Sequence, residues 1–289
     1  MNLRTDLAIE ERENRHLNGH SEGVIISKKE SENTVITTIE IKSKKASEEL
    51  KKAQGKYITL ESEDFKLSDP ESIKKASFLL KSELSKLIKN QSFSSALIVG
   101  LGNRNITSDS LGPQVVSKIM VTKHIKDYMP EHIDSDILPV SAISPGVLGI
   151  TGIETTEIIN AISKSLKPQL IILIDALASS SPKRLISTIQ ITDTGISPGS
   201  GVGNNRGELS RFTLNAPVIA IGVPTVVDLL SIVRSKYPET EENDLEKDFF
   251  VTPKEIDRLI GNLSKIIANG INLSLHKNID LDYIESFIS

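Results

Sequence analysis

Short apolar runs separated by glycine-rich loops restrict the fold of this chain more than any other feature of its sequence. Three of these runs are 95–102 (SALIVGLG), 170–175 (LIILID) and 217–222 (PVIAIG). Apolar residues follow one another directly in them, which is typical of strands whose sheet is covered by helices on both faces. A segment with helical periodicity lies near 154–166. The pattern therefore predicts an α/β fold with a mainly parallel sheet and helices on both faces.

Further strands are predicted from β-branched or alternating residues. Two of them, at 34–41 and 56–61, would form a small N-terminal strand extension. Two more are expected around 137–143 and at 185–191.

Three further helices are predicted from capping residues and periodicity. Asp69 and Pro70 have the residue types of an N-cap and a first-turn proline, so a helix is expected to begin there. A second helix is expected over 111–129. Residues 252–255 (TPKE) have the pattern of a capping box, and Gly270 is expected to end the helix that follows.

Composition and charge exclude several classes of protein. The 289 residues carry 34 Lys and Arg against 38 Asp and Glu, which argues against a general nucleic-acid binder. The lack of cysteine excludes a disulfide scaffold, a thiolate nucleophile and a cysteine-ligated metal. No run approaches the ~18 apolar residues of a membrane span, and the first residues lack the apolar stretch of a signal peptide. We therefore expect a cytoplasmic protein without membrane contacts, with an acidic loop at 236–248.

Polar loops follow the predicted strands, and in open α/β sheets functional sites gather at the carboxyl ends of strands. Asp175 is the last residue of the strand predicted at 170–175, and Asp109 lies just before a predicted helix, in the loop 100–113. Two further glycine-rich loops are 144–155 and 193–208. Either aspartate could instead be a simple cap of the next turn or helix.

Two carboxylates at neighbouring strand ends allow more than one chemistry. As an acid and a base, Asp109 and Asp175 could activate water against an amide. The same pair could hold a divalent metal, since hard cations prefer carboxylate oxygens. If both are only caps, the chain could be a non-catalytic peptide-binding protein.

Three familiar sites are not supported by the sequence. The third glycine of a dinucleotide-binding turn would fall on Asn105. Residues 195–199 match GxSxG, but Pro198 removes the backbone N–H that an oxyanion hole needs. His16 and His20 have helical spacing in a charged segment, which favours a solvated surface over a metal site.

Several longer motifs together resemble the germination proteases of spore-forming bacteria. They are TDLAIEE near the start, GLGNRNITSDSLGP, SPGVLGITGIET, LIILIDALAS, TDTGISPGSGVGNNRGELS and VTPKEID. The resemblance implies an endopeptidase that degrades small acid-soluble spore proteins during germination, with a fold like that of the hydrogenase maturation proteases. It also implies that Asp109 and Asp175 are the proposed catalytic aspartates. A metal-dependent maturation-type peptidase and a peptide-binding protein are the alternatives.

The resemblance further implies a zymogen that cleaves itself. Family substrates are cut in sites similar to Thr-Glu-(Phe/Ile)-Ala-Ser-Glu, after the acidic residue. Residues 5–10 (TDLAIE) have the same order of residue types, so a cut between Asp6 and Leu7 is expected. The resemblance thus implies residues 1–6 as the propeptide and a single α/β domain over 7–289.

Other properties are also implied by the resemblance alone. It implies a protein of the forespore or spore core, a homo-oligomer (a tetramer) and no cofactor or metal, with small acid-soluble spore proteins as the partners. The cleft for an extended peptide is expected to include Asn103, Ser144, Gly199 and Asn204. The chain is shorter than such proteases between Ile232 and Val251, and Ser108 stands where they have proline.

Overall fold

The computed structural model describes residues 5–14, 22–31, 33–89, 92–199, 207–237 and 249–288. The strands are β1 (Val24–Ser31), β2 (Thr34–Ile41), β3 (Gly55–Ser62), β4 (Ala96–Gly100), β5 (Val140–Ile143), β6 (Leu170–Ser179), β7 (Thr188–Thr192), β8 (Val218–Asp228) and β9 (Phe250–Val251). The α-helices are α1 (Ala8–Asn14), α2 (Lys44–Leu50), α3 (Pro70–Ile88), α4 (Leu111–Val116), α5 (Lys123–Tyr128), α6 (Leu148–Thr151), α7 (Thr155–Leu166), α8 (Arg211–Leu214), α9 (Leu229–Lys236), α10 (Ile256–Leu275) and α11 (Leu281–Ile288). Most of the predicted acidic loop, 238–248, lies outside the described residues.

One sheet joins the nine strands of the described residues. Its order is β1-β2-β3-β7-β8-β6-β4-β5, and β9 pairs with β8. The ladders between β5, β4, β6 and β8 are parallel, whereas the others are antiparallel. The predicted α/β fold is confirmed. The parallel part consists of β5, β4, β6 and β8. The N-terminal strands β1 to β3 join it through β7 as an antiparallel extension.

Helices cover the two faces of the parallel strands, as the continuous apolar runs predicted. Ile98, Ile172 and Ile174 belong to one buried cluster, to which α3, α4 and α10 contribute. Leu97 and Ile171, whose side chains alternate with these along the strands, belong to a second cluster with residues of α7 and α8. Within the described ranges, none of the helices combines the length and apolar character that a membrane span requires.

The predicted helix over 111–129 is wrong, because the chain leaves the helical path after Val116. Asn272 of α10 accepts a hydrogen bond from Met120 N and donates one to Lys118 O. Thr122 N donates to Val140 O, at the start of β5. These tertiary bonds replace helical ones, so α4 and α5 are separate short helices.

The limits predicted for the last long helix are also wrong. Thr252 does not cap α10, because its hydroxyl donates to Thr225 O instead. Gly270 does not end α10, which continues to Leu275. A Cβ at Gly270 would lie 2.7 Å from Leu80 Cδ2, so this glycine serves close packing of α10 on α3.

Candidate active site

Asp175 lies inside a strand, although the sequence predicted that the strand ends there. β6 continues to Ser179, but its parallel neighbour β4 ends at Gly100, which pairs with Ile174. Asp175 is therefore the first residue of β6 beyond the edge of β4. Its side chain is 6 % exposed, and Oδ1 accepts a hydrogen bond from Ala176 N at 3.0 Å. The end of β4, and not the end of β6, therefore leaves Asp175 at an open edge of the parallel sheet.

The loop after β4 turns back and holds Asp109 beside that edge. Leu101 N donates to Ile174 O at 2.8 Å, which anchors the start of the loop to β6. Asp109 Oδ2 accepts from Asn103 N at 2.7 Å. Gly102 has φ +106°, and a Cβ there would lie 2.1 Å from Asp109 O. Glycine at 102 therefore permits the tight loop that positions this carboxylate.

Asp109, Asp175 and Asp6 line one cavity of about 370 Å³. Its other lining residues are Leu101, Gly102, Ile106, Ser108, Val147, Thr155, Ala176, Leu177, Ala178, Pro198, Gly199, Thr225, Val226 and Phe250. The cavity thus brings together the carboxylates of Asp175, within β6, and Asp109, in the loop after β4, within a largely apolar wall. Such a pair has the groups needed for acid–base hydrolysis of an amide.

The other residues predicted for the cleft have different positions. Asn103 holds Asp109 through its backbone N–H, and Gly199, with φ +74°, lines the cavity. The loop after β5 contributes Val147 to the cavity wall. Ser144, the residue of this loop that the sequence predicted, is not among the described lining residues. Asn204 lies outside the described residues.

The N-terminal segment is seated at the same cavity. Asp6 N donates to Ala178 O at 3.0 Å, and Ala178 N donates to Asp6 Oδ2 at 2.9 Å. The register of β6 on β8 shifts between Leu177 and Ala178, where Asp6 binds. Leu7 is fully buried in a cluster with Ile39, Ile41, Ala46, Leu50, Tyr57 and Leu177. Backbone bonds and an apolar pocket therefore hold the two residues on either side of the 6–7 peptide bond.

Two polar side chains bracket that peptide bond. Lys52 Nζ donates to Asp6 O at 2.8 Å. Gln190 donates through Nε2 to the same oxygen at 3.4 Å and accepts through Oε1 from Ala8 N at 2.8 Å. Sequence reasoning missed both residues. A glutamine within the apolar run 185–191 was a usable signal, whereas nothing distinguished Lys52 from its neighbours.

Glu10 is the most deeply anchored carboxylate of the segment. It is 1 % exposed, and it accepts hydrogen bonds from Ser179 Oγ at 2.6 Å, Ser180 N at 2.7 Å and Ser180 Oγ at 2.8 Å. Thr5 Oγ1 also donates to it, and Arg184 lies 3.4 Å away. Sequence reasoning also missed the receiving residues, which come from the end of β6 and the turn after it.

Metal ligation depends on three or more donors of suitable type in one place. Among the residues that the structure describes, no group of three His, Cys, Asp or Glu side chains has that arrangement. His16 and His20 lie outside those residues.

Comparison with known proteins gives a consistent result. The sequence model of the germination proteases, peptidase family A25, matches residues 3–237 and 242–288. The germination protease of Clostridium acetobutylicum is 45 % identical over 325 positions, which cover 99 % of each chain. Those of Clostridium tetani and Bacillus cereus are 42 % and 40 % identical, covering 100 % and 97 % of this chain and 100 % and 95 % of theirs.

The alignment with the Clostridium acetobutylicum protein is longer than the 289 residues of this chain, so that relative has additional internal residues. The gap in the family match, between 237 and 242, lies in the region where the sequence predicted a shortening. Among solved structures, a [NiFe] hydrogenase maturation protease, HycI from Thermococcus kodakarensis, is similar with a TM-score of 0.36 and 16 % identity. The match covers 65 % of this chain and 98 % of that one.

Proposed function

Since the chain belongs to the germination protease family and is a protease, we propose that Asp109 and Asp175 activate water to hydrolyse peptide bonds in small acid-soluble spore proteins. We further propose that the chain cuts itself first, between Asp6 and Leu7. The observation that carries both proposals is the position of Asp6, which lines the same cavity as the two aspartates and pairs with Ala178 through its backbone.

The proposed hydrolysis needs one proton acceptor and one proton donor. One carboxylate takes a proton from water while the water oxygen attacks the carbonyl carbon of Asp6. The carboxyl group of the other aspartate then gives a proton to Leu7 N as the C–N bond breaks. Acid–base catalysis of this kind contributes ~10²–10⁴-fold to a rate.

The contacts of the segment support a preference for particular substrates. Leu7 lies in an apolar pocket, and Glu10 lies among hydroxyl, amide and guanidinium donors. A substrate with a large apolar residue after the cut and a glutamate three residues further on would reproduce both contacts. This order also occurs in the Thr-Glu-Ile-Ala-Ser-Glu type of site.

The contacts that hold Leu7 and Glu10 must be vacated between self-cleavage and substrate cleavage. After the proposed cut, Leu7 and Glu10 stay on the mature chain. A substrate that uses the same contacts must displace them, so residues 7–10 act as a competitor of the substrate. Location in the spore core and assembly into a homo-oligomer, a tetramer by resemblance, stay predictions.

Intact-mass measurement of the purified full chain tests the proposal. A loss of the residues before Leu7 is expected, and Asp109→Asn and Asp175→Asn should each slow it by ~10²–10⁴-fold. Asp127→Asn is the control, because Asp127 forms a surface ion pair with Lys123. Trans cleavage of a Thr-Glu-Ile-Ala-Ser-Glu peptide by the matured chain tests the substrate class.

Three outcomes would contradict parts of the proposal. Undiminished cleavage in both Asp→Asn variants would remove the pair from the mechanism. Binding of the peptide without cleavage would favour a peptide-binding protein. Loss of activity on chelation, with recovery on adding back a divalent ion, would favour the metal-dependent peptidase.

A further inference from the structure

We propose that Lys52 is a third catalytic residue, which polarises the carbonyl group of the peptide bond to be cut, and that Gln190 positions that group. The inference rests on the proposed cut between Asp6 and Leu7, since the oxygen that Lys52 contacts belongs to Asp6. It assigns an electrophile to a site in which the two aspartates supply only proton transfer.

Two hydrogen-bond donors reach the oxygen of the carbonyl group at the proposed cut, one from the residue pair after α2 and one from β7. Lys52 Nζ lies 2.8 Å from Asp6 O, a normal length for a charge-assisted hydrogen bond. Gln190 reaches the same oxygen and also holds Ala8 N, so one side chain spans the bond to be cut. A peptide bound in this way has its carbonyl orientation fixed before water attacks.

The backbone around Lys52 is fixed as well. Lys51 ends α2 in the left-handed conformation, with φ 49°. Ser47 then accepts from Lys52 N through its carbonyl at 3.2 Å and donates from Oγ to Lys52 O at 2.7 Å. The lysine side chain therefore projects from a restrained point, as preorganised electrostatic stabilisation requires.

Charge and burial around Lys52 fit this role. Burial lowers the pKa of Lys52, while the carboxylates of Asp6, Glu11 and Glu10 raise it and compensate in part. Tyr57 and Glu208 line the adjoining cavity, which Lys52 also lines. A partly buried ammonium group aimed at a peptide oxygen interacts more strongly with developing negative charge than one in water.

The chemical step balances with water as the only co-reactant. The water oxygen bonds to the Asp6 carbonyl carbon, and the electron pair of the C=O bond moves onto the oxygen that Lys52 and Gln190 hold. When that pair returns, the C–N bond to Leu7 breaks. One aspartate has then taken a proton from water and the other has given a proton to Leu7 N, so the products are a carboxyl terminus at Asp6 and a free amine at Leu7.

The test compares Lys52→Met with Lys52→Arg in the full chain. Lys45→Met is the matched control, because it removes an exposed positive charge from α2, the helix that precedes Lys52. Self-cleavage is followed by intact mass, and docking of the segment is followed by hydrogen exchange at residues 6–8. Both measurements use the same preparations.

We expect Lys52→Met to slow cleavage at least 100-fold while exchange at the Asp6 and Ala8 amides stays at the wild-type level. Lys52→Arg should stay within about 10-fold of the wild type. Because the protonated lysine is required, the wild-type rate should fall as pH rises through the lowered pKa of Lys52. Lys52→Arg should shift that fall to higher pH, since arginine stays charged.

Other outcomes would overturn the inference. If Lys52→Met is cut at the wild-type rate, Lys52 has no part in the reaction. If the Asp6 and Ala8 amides of Lys52→Met lose protection from hydrogen exchange in proportion to the loss of cleavage rate, Lys52 only anchors the segment. Cleavage that is unchanged in Asp109→Asn and Asp175→Asn but slow in Lys52→Met would refute the aspartate pair and support Lys52. A wild-type cut at another bond would refute both proposals.

Discussion

Replacing Glu10 with glutamine tests whether the N-terminal segment is held by its buried carboxylate. The substitution keeps the size of the side chain but removes its charge and replaces one oxygen with an NH₂ group. Ser179 Oγ donates to one oxygen of Glu10, and Ser180 N and Oγ donate to the other. If the new NH₂ group takes the position nearer Ser180, the Ser180 N–H loses its acceptor; if it takes the other position, it faces the Arg184 guanidinium, which cannot accept a hydrogen bond.

The magnitude follows from these contacts. A hydrogen bond to a charged group contributes ~1.5–3 kcal/mol, and leaving a buried donor without a partner costs ~1–3 kcal/mol. Loss of the charge also leaves Arg184 with two carboxylate partners, Glu13 and Glu61, instead of three. Allowing for relaxation, we expect docking of the segment to weaken by about 3 kcal/mol, which lowers the docking constant ~10²-fold.

The assay is the rate of self-cleavage, measured beside hydrogen exchange of the Asp6 and Ala8 amides. These amides donate to Ala178 O and Gln190 Oε1 only while the segment is docked. Glu13→Gln is the matched control, because Glu13 binds the same arginine with a half-exposed side chain. Exposed pairs contribute only ~0–1 kcal/mol, so this control should change the rate less than ~5-fold.

Equal effects of Glu10→Gln and Glu13→Gln would refute the reasoning. They would mean that the donors around Glu10 find other partners at little cost, and that the segment is held by Leu7 and its backbone bonds alone. A slower cut with unchanged amide protection would also contradict it, because the predicted effect acts through docking.

Three further predictions concern the pocket, the loop and the pH dependence of stability. Leu7→Asp should abolish self-cleavage by placing a charge in a fully buried apolar pocket, whereas Leu7→Ile should retain it, as N-terminal sequencing can check. Gly102→Ala should lower the free energy of unfolding by ~1–3 kcal/mol and impair cleavage, because its Cβ would meet Asp109 O; Gly149→Ala, in open space, should do neither. Burial lowers the pKa of His276 from its ordinary value of 6.5 to about 4. As pH falls, the unfolded chain therefore takes up a proton at this histidine before the folded chain does, which favours unfolding. Urea unfolding should therefore show ~2 kcal/mol of stability lost between pH 7 and 4.5, and His276→Gln should remove that part.

The parts of the fold that the sequence predicted depend on local signals. Apolar runs without alternation indicated strands covered on both faces, and Asp69 does cap α3 through Ser72 N. The errors came from long-range bonds. Asn272 interrupts the predicted helix over 111–129 by binding Met120 N, and no local pattern within 111–129 reports a partner about 150 residues away.

The candidate site likewise has a part that the sequence predicted and a part that depends on long-range contacts. Asp109 and Asp175 were predicted because sites gather at the carboxyl ends of strands in α/β sheets, and the parallel pairing of β4 with β6 does bring the two residues to one cavity. Lys52 and the donors around Glu10 depend instead on how the N-terminal segment crosses the sheet, from β6 to the end of α2. That path is set by the burial of Leu7 between the antiparallel extension and Leu177. A sequence pattern identifies residues 5–10 as similar to a substrate, but only the docked segment identifies the side chains that receive it, because those side chains come from three elements far apart in the chain.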